Sequence, residues 1–295
     1  MNDHRFLLCR PASGLFDIFS QIGAAINYAR NHRRVVIIDT NPPGAGYFRD
    51  RFSNYFTSLN RNLILHIDNH IELLNRLPTI PPSVAGRIDR YIAVYDEARR
   101  GYVDDASGTP LALDFSRDYE QPLLIHHAGG RSQHFFMIPL ANMRLSKPVR
   151  DEIVLRLARI GGPFNGIHIR ATDYQTDYRR GLEELRQELV GKLFVATDNR
   201  EALAYVREQC RNADIYSFAQ LPQQPGRPLH RCPEPHLIWQ TNLDAIADVI
   251  MLAHAKQLYY FSLMPNRSGV VISGYSHLAR CLKERPELVS QLMHA

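Results

Sequence analysis

The sequence predicts an α/β protein made of two Rossmann-like domains whose parallel sheets face a cleft. Three observations carry this expectation. Near the start, Arg5-Phe-Leu-Leu-Cys-Arg10, a glycine-bearing turn, a helical stretch and Val35-Val-Ile-Ile38 form a strand, turn, helix, strand unit, the opening of a doubly wound sheet. After Gly161-Gly-Pro163 a second series of short apolar runs alternates with amphipathic stretches, so the pattern begins again. A chain of 295 residues is also long enough for two ordinary domains, each burying its own core.

In order along the chain, Arg5 to Arg10 reads as a buried strand broken by Pro11-Ala-Ser-Gly14. Phe16 to Arg30 carries Phe19, Ile22, Ala25, Ile26 and Ala29 at helical spacing. Val35 to Ile38, ending in Asp39, is the second strand, and Asn41-Pro-Pro-Gly44 and the aromatic-rich stretch Tyr47 to Tyr55 follow. From Asn62 to Asp118 the signals are weak: a strand at Leu63 to His66, a short helix at Ile71 to Leu77, and a loop-bearing insertion at Tyr91 to Tyr102. Leu123 to His127 is a strand that breaks at Gly129-Gly130-Arg131; two glycines and an arginine there serve a tight turn or present donors to a ligand. Pro148 to Ile160 is an amphipathic helix with Val149, Ile153, Leu157 and Ile160 on one face and Arg150, Glu152 and Arg156 elsewhere.

The second half then reads as strand Gly166 to Ile169, helix Gly181 to Leu189, strand Leu193 to Ala196, helix Glu201 to Arg211 and strand Ile215 to Phe218. A proline-rich loop spans Leu221 to Pro235, followed by helix Thr241 to Ala255, strand Gln257 to Phe261 and helix Ser268 to Leu282. The expected domains are 1–160, on the acceptor side, and 161–282, which binds a nucleotide; a C-terminal helix covers 283–295.

A net charge of +5 without any run of five Lys or Arg, and without a basic stripe interleaved with aromatics, argues against nucleic acid as a partner. Cys9, Cys210, Cys232 and Cys281 form no C-x-x-C pair, so the composition points to neither a zinc knuckle nor a disulfide framework but to reduced thiols. No apolar signal core follows a basic start, and no run approaches the ~20 apolar residues that span a bilayer, so the expectation is a cytoplasmic protein with at most peripheral membrane contact.

The chemistry concentrates where the strands of the second half open into polar residues. Gly166-Ile-His-Ile-Arg170 runs into Ala-Thr-Asp-Tyr174, and Lys192-Leu-Phe-Val-Ala-Thr-Asp198 ends similarly. Ligands of open α/β sheets bind at such carboxyl ends. Arg170 stands there with a fixed fork of donors suited to the paired oxygens of a diphosphate. His168-Ile-Arg170 with Thr172-Asp173, then Val195-Ala-Thr-Asp198, then Asp248 heading an apolar helix that runs into Leu258-Tyr-Tyr-Phe-Ser262, resemble the three ordered blocks of the fucosyltransferase superfamily. That superfamily holds the bacterial nodulation, animal core α1,6- and protein O-fucosyltransferases. Gly14 and Asp17 resemble the Gly-x-Gly-Asp turn of the nodulation enzymes, with Phe16 at the second glycine, and Arg51 to Phe56 also resembles their next segment.

The resemblance implies a GT-B-like fold and an inverting glycosyltransferase that needs no metal and no cofactor. Its donor is a nucleotide sugar, GDP-fucose first, and its acceptor a glycan hydroxyl on an oligosaccharide, glycolipid or lipopolysaccharide. Arg170 then grips the donor diphosphate, whose charge grows as the glycosidic bond breaks. By the same resemblance His168 helps bind the nucleotide, Asp248 pairs with the guanine edge, and Gly14 lies in a donor-binding turn. Asp198 approaches the ribose or the nearby loop, or with Thr197 caps the helix after Asn199. Ser262 and Ser268 flank the loop before a helix N-terminus that favours phosphate. The acceptor's proton needs a carboxylate within reach; Asp173 and Asp177 both lie just past Arg170, and by resemblance Asp177 is nearer the place of an acidic base in the core enzymes.

Two departures stand out. Ala171 occupies the place of a second arginine in many relatives, and Tyr174 that of a lysine in the core enzymes, leaving Arg131 or Arg267 to compensate or another GDP-linked sugar as donor. A non-catalytic nucleotide- or glycan-binding protein is the alternative from a different class.

Overall fold

The computed structural model describes residues 5–44, 47–130, 134–221, 234–264 and 271–294. Its contacts divide the chain after Ser146 into two compact units.

The first unit begins with β1 (Arg5–Ala12), α1 (Leu15–Asn31) and β2 (Arg34–Ile38). There follow β3 (Phe56–Ser58), β4 (Leu63–Ile64), α2 (Ile71–Asn75), β5 (Thr79–Ile80), the hairpin β6 (Ala93–Asp96) and β7 (Gly101–Asp104), β8 (Leu123–Gly129), α3 (Met137–Ala141) and β9 (Met143–Leu145). Five strands form a parallel sheet in the order β4-β2-β1-β8-β5. Leu8 sits between Ile37 and Ile125 in register, fully buried, because helices or loops cover both faces of a parallel sheet.

The weakly patterned region after Asn62 covers one of those faces. Ile67, Leu74, Val84, Ile88 and Leu111 pack against Leu8, Ile37 and Ile125. Each fully buried Leu or Ile contributes about 1.5–3 kcal/mol, which is why this irregular stretch stays ordered. Two expectations are corrected here. Tyr91 to Tyr102 contains a strand and continues into an antiparallel hairpin, with Tyr95 opposite Tyr102. Pro11 does not end β1, which pairs with β8 as far as Ala12 opposite Gly129. The ladder to β2 stops at Cys9 opposite Ile38, so the missing N–H of Pro11 leaves no partner unpaired on that side.

The second unit contains α4 (Lys147–Ile160), β10 (Asn165–Ile169), α5 (Tyr178–Leu185), β11 (Gly191–Thr197), α6 (Arg200–Gln209) and β12 (Ala213–Tyr216). It continues with α7 (Ile238–His254), β13 (Leu258–Tyr260), α8 (Gly274–Lys283) and α9 (Pro286–Met293). Its four parallel strands run in the order β12-β11-β10-β13. The amphipathic helix α4, which the sequence assigns to the first domain, packs against α7 in this unit. Ile167, Ile169 and Val195 face Leu182 of α5 and Ala202 and Val206 of α6, while α7 covers the opposite face and carries α4 and α8.

Candidate functional site

Strand order in the second sheet runs outward from β10 to β11 and β12, then returns to the other side of β10 as β13. The carboxyl ends of β10 and β13 therefore flank the crevice where open α/β sheets take ligands. Local sequence fixes this geometry. A Cβ on Gly166 would lie 2.9 Å from the Ala255 Cβ and 3.2 Å from Leu252, so only glycine lets β10 lie this close to α7. Beyond β10, a Cβ on Gly181 would meet the Phe261 ring at 2.3 Å, so this glycine seats the exit of β13 against α5.

His168 alternates with Ile167 and Ile169 and points away from the α5/α6 layer, as the strand period requires. Its Nδ1 is 2.7 Å from Ser276 Oγ, and its ring lies 4.8 Å from the Tyr275 ring, both on α8. Burial, helped by the nearby Arg170 charge, pulls its pKa down to about 3, so the imidazole is neutral.

Arg170 emerges just past β10. Its Nη1 lies 2.9 Å from Asp198 Oδ2 and its Nη2 pairs closely with Asp173, and 21% of the side chain remains exposed. Asp198, at the end of β11, is almost fully buried and also accepts from the Ala171 N–H at 2.9 Å and the Thr172 hydroxyl at 2.6 Å. It therefore anchors the arginine and the loop that follows, and the cap of α6 is Asn199, which accepts from the Ala202 N–H at 3.0 Å. The Thr176 hydroxyl donates to the Arg170 carbonyl at 2.9 Å and closes the 170–176 loop. Asp173 lies against the guanidinium, whereas Asp177 sits exposed at the N-cap position of α5 without a side-chain capping bond.

Ser262 is exposed just after β13. Backbone bonds from Met264 to Gln175 and a bridge between Thr176 and Leu263 tie that exit to the Arg170 loop. Ser268, Arg267 and Arg131 lie outside the described residues. Helix α8 starts at Gly274, later than the sequence predicts, and Ser273 caps it by accepting from the Ser276 N–H at 3.1 Å.

Asp248 lies inside α7, not at its head, and is buried. Arg156 of α4 reaches it with Nη1 at 3.3 Å, bonds Glu152 through Nε at 2.8 Å and pairs closely with Asp244. The sequence reading puts Arg156 off the apolar face of α4 and Leu157 on it; the structure buries Arg156 and leaves Leu157 half-buried. Val149, Ile153, Arg156 and Ile160 form the buried stripe, and their 4-3-4 spacing is the signal that could have found it. Desolvation, reinforced by Asp244 and opposed by Arg156, raises the Asp248 pKa to about 8. The Tyr275 hydroxyl donates to the Ala245 carbonyl at 2.6 Å and links this cluster to His168. Tyr275 and Ser276 carry no motif, and only the fold brings them here.

In the first unit Gly14 occupies the N-cap position of α1 with ordinary backbone angles and open space where a Cβ would go. The left-handed residue is Ser13, at φ 88°. Asp17 follows in the first turn, its pKa raised by burial against a hydrogen bond from Ser13, and Phe16 packs on Phe136 with ring centroids 4.9 Å apart. Among the described residues no group of three or more His, Cys, Asp or Glu is placed to hold a metal ion. No helix among them is long and apolar enough to cross a membrane.

No family model matches the chain, and no curated protein does. Solved structures do. Fucosyltransferase NodZ from Bradyrhizobium superposes with a TM-score of 0.63 at 19% identity over 95% of this chain and 93% of that one. A NodZ α1,6-fucosyltransferase co-crystallised with GDP gives 0.62 at 19% identity, over 95% and 92%. POFUT1 in complex with GDP-fucose gives 0.56 at 12% identity, over 96% and 95%. The chain thus has the two-sheet GT-B-type fold of these fucosyltransferases along nearly its whole length.

Proposed function

We propose that this protein is an inverting, metal-independent glycosyltransferase that transfers fucose from GDP-fucose to a hydroxyl of a glycan acceptor. The observation that carries the reading is Arg170. It is a partly open guanidinium at the carboxyl end of β10, beside the point where strand order reverses, held in place by the buried Asp198. The neighbours that share this fold were solved with GDP and with GDP-fucose.

In this reading Arg170 binds the diphosphate and stabilises the charge that gathers on it as the sugar leaves, the role a metal plays elsewhere. Asp198 orients the guanidinium through their 2.9 Å contact, so it acts on the donor through Arg170. His168, neutral, offers a hydrogen-bonding nitrogen to the nucleotide, and Asp248 accepts from the guanine edge. Ser262 and Ser268 lie on the phosphate side and Gly14 in the donor-binding turn, as the resemblance implies. Asp173 is the better-placed base of the two expected ones, because a diphosphate that engages Arg170 displaces its carboxylate into a free, proton-accepting state.

One observation favours a second donor. Ala171 donates its backbone N–H to Asp198, and Tyr174 is exposed, so neither position supplies a second cation to the diphosphate. That arrangement suits another GDP-linked sugar equally. The test is turnover of purified protein with a panel of GDP-sugars and acceptors in chelator. Transfer or hydrolysis of GDP-fucose alone supports the reading, and preference for another GDP-sugar supports the second. GDP binding without turnover of any donor would show a non-catalytic binding protein.

A further inference from the structure

The buried cluster beneath His168 contains one arginine and three carboxylates, and they are not equivalent. Asp244 is saturated: besides Arg156 it accepts from the Gln220 N–H at 3.0 Å and the Gln240 amide at 2.8 Å. Glu152 sits one turn before Arg156 on α4 and is partly exposed. Asp248 has a single bond among the described residues, the 3.3 Å contact from Arg156 Nη1 to its Oδ1. A carboxylate offers about four acceptor positions, so most of its capacity is unused although the residue is 5% exposed. Buried polar groups left so incomplete call for an explanation, and a ligand with paired donors supplies one.

We propose that Arg156 is a specificity-determining positioning residue: by holding Asp248 Oδ1 from behind, it aims the carboxylate and favours its ionised form, the double acceptor for a purine edge with two adjacent N–H donors. This rests on the GDP-sugar reading above and adds to it the residue that sets base selectivity.

The electrostatics support the assignment. Among the described residues the groups around Asp248 are Arg156 from α4, itself bonded to Glu152, Asp244 from its own helix and Tyr275 from α8; Arg156 is the one cation among them. Its guanidinium is 1% exposed and lies 5.6 Å over the Phe218 ring, so it cannot swing away into water. Without it, burial and the Asp244 charge would hold the proton on Asp248 to still higher pH. A carboxylic acid offers one donor and one acceptor, and that pattern no longer matches the N1–H and 2-amino group of guanine. The sign follows. Nucleotide affinity increases with pH until Asp248 is ionised, near pH 8 in the native protein, and removing Arg156 shifts that rise to higher pH.

The test is calorimetric titration of the full chain with GDP and with IDP, which lacks the 2-amino group, from pH 6 to 9. Once Asp248 is ionised, at the upper end of this range, the native protein should prefer GDP by roughly tenfold, the value of one hydrogen bond to a charged acceptor. At pH 8 Arg156→Met should lose tenfold or so in GDP affinity relative to the native protein, show a GDP-to-IDP ratio near one, and regain both as pH rises further. Asp244→Asn removes a like charge instead, and should move the pH midpoint down; it provides the reading if Arg156→Met does not fold. Equal loss of GDP and IDP at every pH in Arg156→Met, or an unmoved midpoint in Asp244→Asn, would mean a purely structural role and overturn the proposal. Asp248→Asn separates the two levels. If it keeps full GDP selectivity, the reading that Asp248 meets the base fails; if it loses selectivity while Arg156→Met does not, only the present inference fails.

Discussion

The two units carry the same pair in the same place, and they treat it oppositely. In the first, Arg10 of β1 bonds Asp39, just past β2, at 2.8 Å. In the second, Arg170 just past β10 bonds Asp198, just past β11, at 2.9 Å. Arg10 is 1% exposed, roofed by the Tyr91 ring 4.5 Å away and tied to the Ile88 carbonyl, both from the segment between β5 and β6. Arg170 has no such roof among the described residues and keeps 21% of its side chain in solvent. An arginine at a strand end is thus a structural strut when its guanidinium is covered and open to a ligand when it is not, which is the role proposed for Arg170. The cover, not the pair, separates the two roles.

The largest effect should come from removing each arginine. Arg170→Ala should lower turnover by roughly 100-fold or more and weaken GDP binding while the melting temperature stays within a few degrees. Arg10→Ala leaves Asp39 buried without its counter-charge, which costs about 3–5 kcal/mol and roughly 10 °C in melting temperature. Thermal melts beside GDP titrations check both, and a strongly destabilised Arg170 variant or an indifferent Arg10 variant would break the comparison.

Next come the carboxylates around Arg170. Asp198→Asn should weaken GDP binding by about tenfold, because the guanidinium loses its anchor. Asp173→Asn removes a competitor for the same guanidinium, so donor affinity should hold or improve while turnover falls if Asp173 is the base. Asp177→Asn is the matched control in the same assay, and if neither variant loses turnover the base belongs to the first unit.

A third contrast concerns acid. His126 and His127 in the first unit and His168 in the second are buried and neutral, with pKa values pushed down to about 4, 3 and 3. His126 shows why: its Nδ1 accepts from the Leu113 N–H at 3.0 Å, so Nε2 carries the proton and donates to Gln21 Oε1 at 2.7 Å. The unfolded chain binds these three protons near pH 6.5 and the folded chain does not. Stability due to them is present above pH 6.5 and is lost as pH falls toward 4. Asp248 counts the other way, holding in the fold a proton that the unfolded chain releases, so urea titrations across that window should show a net slope approaching two protons, reduced by one in His168→Gln.

These contrasts also show what the sequence made legible. The strands and α4 were readable because buried parallel strands and amphipathic helices write their periods directly, and His168 and Arg170 stood at the end of such a strand. Arg156 was not, because a charged residue in phase with an apolar stripe reads as surface until its partners, Asp244 and Asp248, are brought up from ninety residues away. The cover over Arg10 was illegible for a related reason: its segment is held by scattered side chains such as Leu74, Val84 and Ile88 and not by a period. Asp198 was ambiguous because the same carboxylate can cap a helix or brace a loop, and only geometry shows that Asn199 takes the cap.

The smallest effects separate glycines that the fold requires from one that it does not. Gly166→Ala and Gly181→Ala force a Cβ against Ala255 and Phe261 and should cost about 1–3 kcal/mol each. Gly14→Ala meets open space and ordinary backbone angles, so its melting temperature should not move; any change should be in donor affinity alone.

The most direct test of the central claim is calorimetric titration of the purified protein with GDP, UDP and CMP, with chelator present throughout. The account predicts tight, GDP-selective binding that needs no metal and is lost in Arg170→Ala but kept in a folded Arg10 variant. Selective binding of UDP, or GDP binding that is indifferent to Arg170, would contradict it.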